Sequence, residues 1–342
     1  LPLPGRGRQT SYNLKVDFQN IQDKLQVMFE RWLPSLEPNV LLLGPRRAGK
    51  TTLLRRRYPD WKYATLDDLD YLDQAERDPK GLILSLRPEA ILDEVQRAPR
   101  LTIAIKKEID EGNLRIAMSG SSGLRLLDSA ADSLAGRISI RHLPTACWGE
   151  ELGPAEVRSF DANLSLPFVR EAHRHLDEAL RFGGFPEVLS ATSDEERVEL
   201  LRKYRDTYFT RDLAQLANLE NATGLLAVLH HLGRSIGSTT EVSGVARASG
   251  LSHPTAKKYL SVLALSDLTY SLLGYHHGPV KRYVRASKTY FADPGILTAL
   301  GIETSEGQKF ENFVVGDFEK RRKLGLLPAE GLYYHRSVGG AE

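Results

Sequence analysis

Val40-Leu41-Leu42-Leu43-Gly44-Pro45-Arg46-Arg47-Ala48-Gly49-Lys50-Thr51-Thr52 decides the reading of this chain. Four apolar residues in a row read as a strand buried on both faces. Two glycines then enclose four free positions and are followed by Lys and Thr, the spacing of a P-loop. Such a turn aims several backbone N–H groups at one small volume, at the positive end of the helix that follows. That volume suits a triphosphate, lined by Gly44, Arg47, Ala48, Gly49, Lys50, Thr51 and Thr52. Lys50 would reach the β- and γ-phosphates and the Thr51 hydroxyl would hold Mg2+. The implied cofactors are ATP and Mg2+. The motif does not ask for the side chains of Arg46 and Arg47, which read as solvated or subunit-facing charge.

A second signal supports the first. Ala90-Ile91-Leu92-Asp93-Glu94 reads as a short apolar strand ending in two acids. It is expected beside the P-loop strand, with Asp93 helping to hold Mg2+ and Glu94 accepting a proton from, or orienting, the attacking water. Alone, the pair would only begin a loop. Here it follows a full P-loop, with room for one strand (Tyr63 to Leu66) and one helix (Asp70 to Asp78) between them. A third strand, Leu114 to Met118, ends at Ser119-Gly120-Ser121-Ser122. A hydroxyl at that tip can orient water against a γ-phosphate, and serine is also ordinary turn chemistry. Gly136-Arg137 precedes a further strand, Ile138 to Ile140, closed by Leu143-Pro144.

This order of parts resembles the core of an AAA+ ATPase over about residues 37 to 146. The resemblance makes Ser121 (or Ser119) the sensor residue. It makes Arg137 the arginine finger that completes a neighbouring subunit's site, and so implies a homo-oligomer. The alternative for Arg137 is a cap on its own helix C-terminus. Residues 147 to 222 read as mostly helix, interrupted by Gly183-Gly184-Phe185-Pro186. A helical lid here is what AAA+ and related signal-transduction ATPases carry. The Gly-x-Pro turn resembles the latter group's motif, which would lay Pro186 against adenine, and it is otherwise a turn between helices. Arg211-Asp212 reads as a surface pair or a lid-to-core contact.

From Leu225 the pattern becomes helix, short helix, Gly250, and a helix opened by Ser252-His253-Pro254, which is helix-turn-helix spacing. Strand-like runs follow at Leu268 to Leu273, Val280 to Val284 and Lys288 to Phe291, with His276-His277 at a hairpin tip. The arrangement resembles a winged helix. Residues 254 to 290 hold six basic residues (Lys257, Lys258, Lys281, Arg282, Arg285, Lys288) against Asp267, a local charge of +5 that would attract DNA phosphates. Winged helices also serve as protein contacts. Gly307 to Lys320 is expected to be an amphipathic helix and Leu332 to Arg336 a strand. Together they resemble the opening of a restriction-endonuclease-like (PD-(D/E)xK) domain. Glu311 would stand at that family's helix acid, with a structural role as the default. The chain ends at Glu342 before the remaining acids of a metal-dependent nuclease.

The expected fold is thus α/β: an AAA+ parallel-sheet core (1–146), a helical lid (147–222), a winged helix (223–300) and a partial nuclease-like domain (301–342). The whole order resembles a bacterial and archaeal family of such ATPases. Its implied function is ATP hydrolysis coupled to binding or remodelling DNA. A nucleotide-dependent signalling or defence switch, whose winged helix binds protein, is the alternative. A net charge of +2 names no partner by itself. The single cysteine, Cys147, excludes an intramolecular disulfide and fits a cytoplasmic setting. No apolar run has membrane-spanning length, and no guanine-reading motif is present, which favours ATP over GTP. Starting at Leu1 rather than Met, the chain is expected to lack an N-terminal piece.

Overall fold

The computed structural model describes residues 30–120, 134–152, 166–213, 222–275 and 287–335. Its first layer is built on β1 (Val40–Leu43), α1 (Lys50–Arg57), β2 (Lys62–Thr65), α2 (Leu69–Arg77), α3 (Pro79–Ser85) and β3 (Glu89–Asp93). A 3-10 turn (Val95–Arg97), α4 (Leu101–Asp110), β4 (Arg115–Gly120) and β5 (Ser139–His142) complete it. The five strands run parallel in the order β2-β3-β4-β1-β5. β1 alternates between two cores, which is why all four of its residues are apolar. Leu41 and Leu43 pack with the α2–α4 layer, and Val40 and Leu42 pack with Trp32, Leu54 and Leu143. One expectation is corrected here: β3 does not neighbour β1, because β4 lies between them.

After β5 come α5 (Trp148–Leu152), α6 (Leu166–Phe182), α7 (Pro186–Leu189) and α8 (Asp194–Tyr204), which continues as a π-helical stretch over Arg205–Asp212. The side chains of Arg211 and Asp212 lie outside the described residues. Gly183 and Gly184 are required by close approach. A Cβ on Gly183 (φ 69°) would stand 1.7 Å from Asp293 Oδ1, and one on Gly184 would stand 2.1 Å from the Ala146 carbonyl oxygen.

The C-terminal half contains α9 (Ala222–Arg234), β6 (Thr239–Thr240), α10 (Val242–Ser249), α11 (His253–Leu265), β7 (Thr269–Gly274), β8 (Ser287–Phe291), α12 (Pro294–Leu300), α13 (Glu306–Lys323) and β9 (Tyr333–Tyr334). Gly250, in left-handed conformation, ends α10, and the Ser252 hydroxyl caps α11 by accepting from the Thr255 N–H. The second sheet has the order β6-β8-β7-β9.

The helix and strand expected to open a separate nuclease-like piece instead join this unit. β9 pairs parallel with β7. Asn312 of α13 binds both backbone groups of Phe291, accepting at 2.8 Å and donating at 3.3 Å. Glu311 accepts the Tyr290 hydroxyl at 2.7 Å, a structural role. Farther along, Leu324 and Leu326 reach the core of the first layer.

One buried network ties the halves together. Asp293, 1% exposed, accepts from Thr145 Oγ1 at 2.5 Å, the Gly184 N–H at 2.9 Å and Lys320 Nζ at 2.8 Å. Lys320 also donates to the Ala146 carbonyl at 2.9 Å. Removing one partner of such a pair strands the other charge without water. Asp293→Ala is therefore expected to lower unfolding free energy by about 3 kcal/mol, read from urea denaturation.

Candidate functional site

The turn after β1 is held under the next strand's exit: a Cβ on Gly44 would stand 2.0 Å from the Leu143 carbonyl oxygen. Gly49, at φ 88°, is the N-cap of α1, and no side chain caps that helix. Its first N–H groups are thus left facing the turn, the environment an anion completes. Lys50 is 5% exposed and donates to the carbonyls of Gly44 and Pro45, both at 2.9 Å. Burial pulls its pKa below the ordinary lysine value, while Glu94, Asp93 and Asp267 oppose that shift. A buried ammonium satisfied only by carbonyls is a site prepared for negative charge.

Asp93, at the end of β3, gathers donors from three other elements. Thr51 Oγ1 of α1 donates to Oδ2 at 2.7 Å, and the Tyr63 hydroxyl of β2 donates to the same oxygen at 3.1 Å. Ser119 of β4 donates to Oδ1, which also accepts the Glu94 N–H at 3.1 Å. Burial, then the charge and hydrogen bond of Asp93, push the Tyr63 phenol up to about 12. Because β4 separates β1 from β3, Ser119 lies between the strand that leads into the phosphate turn and the strand that ends in Asp93. Ser121, the preferred sensor in the sequence reading, lies outside the described residues. Glu94 adopts φ 58° and ψ 40°, a left-handed conformation that costs a non-glycine residue about 1–2 kcal/mol. Its carboxylate accepts the Gln96 side-chain amide. Asp93 and Thr51 form an oxygen pair suited to a hard divalent cation.

Beside the turn lies a pocket of about 400 Å³ lined by Arg31, Leu33, Leu36, Gly49, Thr52 and Pro186, among others. Pro186 Cγ is 3.8 Å from where a Cβ on Gly49 would be, so α7 closes one wall against α1. The opposite wall is residues 30–36, which the sequence reading missed. Arg31 anchors it, donating to the Ala48 carbonyl at 2.8 Å, the Pro144 carbonyl at 2.7 Å and Glu150 at 3.1 Å. No motif marks this arginine, because its partners lie as far as 119 positions away.

Arg46 and Arg47 keep much of their side chains in solvent and form surface ion pairs on two sides of the turn. Arg47 Nη1 meets Glu187 of α7 at 3.1 Å, and Arg46 lies 3.9 Å from Asp67. The far end of the turn faces the C-terminal unit. Asp267, at φ 55°, accepts from Lys323 at 2.5 Å, and both line a small cavity with Pro45.

Arg137 is not part of its own chain's site. It precedes β5, at the end of the sheet opposite Lys50, and forks onto Asp110 at 2.5 and 3.0 Å. Lys257 and Lys258 are exposed on α11. Lys281, Arg282 and Arg285 lie outside the described residues. Lys288, counted towards the local positive charge, is buried, with Nζ 3.9 Å from Glu311 and 5.5 Å from the Tyr334 ring centroid.

A family described as "AAA domain" matches residues 37–152, and a domain of unknown function, DUF8612, matches residues 173–306. An uncharacterized protein of Mycobacterium tuberculosis is 29% identical over 323 residues, covering 89% of this chain and 66% of its own length. One from Methanocaldococcus jannaschii is 23% identical over 318 residues, covering 87% of this chain and 70% of its own length. The chain thus spans about two thirds of the length of these relatives. A Walker-type ATPase of Pyrococcus abyssi shares the fold, with a TM-score of 0.50, 16% identity, and coverage of 85% of this chain and 96% of that one. Residues 37–152 are thus similar to the AAA domain family, and the chain shares its fold with a Walker-type ATPase.

Proposed function

We propose that the chain binds ATP with Mg2+ and hydrolyses it, and that this drives binding or remodelling of DNA by a homo-oligomer. The observation that carries the ATPase reading is the Thr51–Asp93 hydrogen bond at 2.7 Å beside buried Lys50. Lys50 and the amides of residues 47 to 51 hold phosphates. Pro186 lies against the base in the adjoining pocket. Thr51 and Asp93 hold Mg2+, which supplies charge neutralisation at the phosphates. Glu94 takes the proton of the attacking water, and Ser119 fixes Asp93, with Ser121 left as the alternative hydroxyl. Arg137 could act only across a subunit boundary, exchanging Asp110 for a neighbour's phosphate.

The DNA reading rests on the helix-turn-helix order of α10 and α11 and on exposed Lys257 and Lys258. Its test compares the chain with a variant in which Lys257, Lys258, Arg282 and Arg285 are alanine. The wild-type chain is expected to bind duplex DNA with an affinity that falls steeply with salt. The variant should bind more weakly, with its log–log salt slope reduced by about one per phosphate contact removed. No binding at low salt, with an ATPase rate indifferent to DNA, removes this reading. It would leave the nucleotide switch, which is favoured by the cavity that Asp267 and Lys323 of the C-terminal unit share with Pro45 of the phosphate turn.

A further inference from the structure

We propose that Tyr63 is a positioning residue for the metal-holding end of the site: its hydroxyl aims the Asp93 carboxylate and thereby sets how tightly a divalent cation is held with nucleotide. The inference rests on the ATPase reading above and extends it to a residue outside every recognised motif. Tyr63 is on β2, whose parallel pairing with β3 sets Tyr63 opposite Ile91 and Thr65 opposite Asp93. Residues Ile91 and Asp93 are two apart and share one face of β3, and Tyr63 shares that face across the ladder. Two residues of strand span about 6.6 Å, a distance a tyrosine ring with its hydroxyl can bridge and a shorter side chain cannot.

The hydroxyl ends at Asp93 Oδ2, 3.1 Å away, on the oxygen that Thr51 also contacts. The two donors differ in what metal does to them. Thr51 is itself assigned to the cation, so its hydroxyl oxygen is drawn on when the cation arrives. Tyr63 is not assigned to the cation, and its hydroxyl holds Oδ2 in one orientation before the cation arrives. With Ser119 on Oδ1, it leaves Asp93 little freedom to rotate. The ring is fixed in turn. Arg55, one turn after Thr51 on α1, lies 5.0 Å from the Tyr63 ring centroid, and the ring packs on the core that contains Leu54 and Ile91. The strand beside the acid pair, the helix after the phosphate turn and the metal-facing carboxylate thus meet through one phenol.

Tyr63→Phe keeps the ring and removes the hydroxyl. Fluorescent ADP analogue binding is followed as Mg2+ is titrated, alongside the Mg2+ dependence of turnover. A hydrogen bond to a carboxylate is worth enough to shift half-saturating Mg2+ upward about 5- to 10-fold. Nucleotide affinity in EDTA should be unchanged, and the midpoint of thermal unfolding should fall only by what one lost hydrogen bond accounts for. Tyr63→Leu, which loses the ring as well, should add a fall in thermal midpoint to the same Mg2+ shift, separating packing from positioning. If the wild-type chain binds nucleotide with a clear Mg2+ dependence and Tyr63→Phe has the same half-saturation, Tyr63 has no positioning role and the ATPase reading stands. If the wild-type chain shows no Mg2+-dependent nucleotide binding, both readings fall together.

Discussion

Lys50→Ala will abolish nucleotide binding, lowering affinity for ATP by about 10³-fold or more, a loss of roughly 4 kcal/mol. The reason lies in where the ammonium sits. It is almost wholly buried and meets only the carbonyls of Gly44 and Pro45 within the described residues. Charge-assisted contacts to phosphate in such a place are little screened by water. Alanine removes that charge and leaves two carbonyls with no donor. Lys50→Met is the control for shape, since it fills the channel without charge. Because burial lowers the Lys50 pKa, the folded chain disfavours the protonated form relative to the unfolded chain. Below its folded pKa the residue therefore carries an electrostatic cost, which fades as pH rises towards the unfolded value. Ligand-free Lys50→Met is accordingly expected to melt no lower than the wild-type chain at neutral pH. The decisive readout is the ATP-induced rise in melting temperature. A ligand at 100 times its Kd stabilises by about 2.7 kcal/mol, and the variant should show none of that rise. A retained rise in both variants would remove Lys50 from the site.

How much of this site could be read beforehand depends on the range over which each residue acts. Gly44 to Thr52 is local: the turn, the helix start and the lysine lie within nine positions, so the pattern carries the geometry. Asp93 and Glu94 were legible because an apolar strand ended in acids. The neighbour of that strand was not legible, since no residue in Glu89–Asp93 states that β4 will separate it from β1. That insertion makes Ser119, inside the strand, the hydroxyl that meets Asp93. Arg31, Tyr63 and Asp293 escaped notice for the same reason. Each looks ordinary in its own segment, and each has a partner at least 30 positions away. The charge count over residues 254 to 290 erred at Lys288 because composition does not distinguish a solvated lysine from one buried beside Glu311. The helix carrying Glu311 was placed correctly as a helix. The pairing of β9 with β7 was not legible, because nothing in Tyr333–Tyr334 names a partner strand some 60 positions earlier.

The connection between the nucleotide site and the C-terminal half has two layers. Asp293 and Lys320 join the lid glycines to α13 in a buried network that rotation of the C-terminal unit would have to break. Asp267 and Lys323 form a more accessible pair beside the phosphate turn, where its acid also supports the charge on Lys50. In the proposed function a bound triphosphate would bring further negative charge to Lys50, the group that Asp267 already favours in its protonated form.

Glu94→Gln separates binding from turnover. It should leave ATP affinity within about twofold of wild type and lower kcat by about 10²- to 10³-fold, the range lost with a general base. The substitution is close to isosteric, and the new amide oxygen can still accept from Gln96, so the 3-10 turn should persist. What disappears is the negative charge one residue beyond Asp93, at a backbone position held in a left-handed conformation. That conformation turns Glu94 away from the direction β3 would give it while Asp93 remains fixed to Thr51, Tyr63 and Ser119. In the proposed mechanism the two carboxylates would divide the work: Asp93, held by three hydroxyls, would hold metal, and Glu94 would take a proton. Single-turnover hydrolysis of radiolabelled ATP, with binding measured on the same preparation, checks the assignment. Loss of both binding and turnover would make Glu94 part of the phosphate or metal cradle. Wild-type turnover in Glu94→Gln would place water activation elsewhere and leave the strained backbone at residue 94 without a catalytic reason.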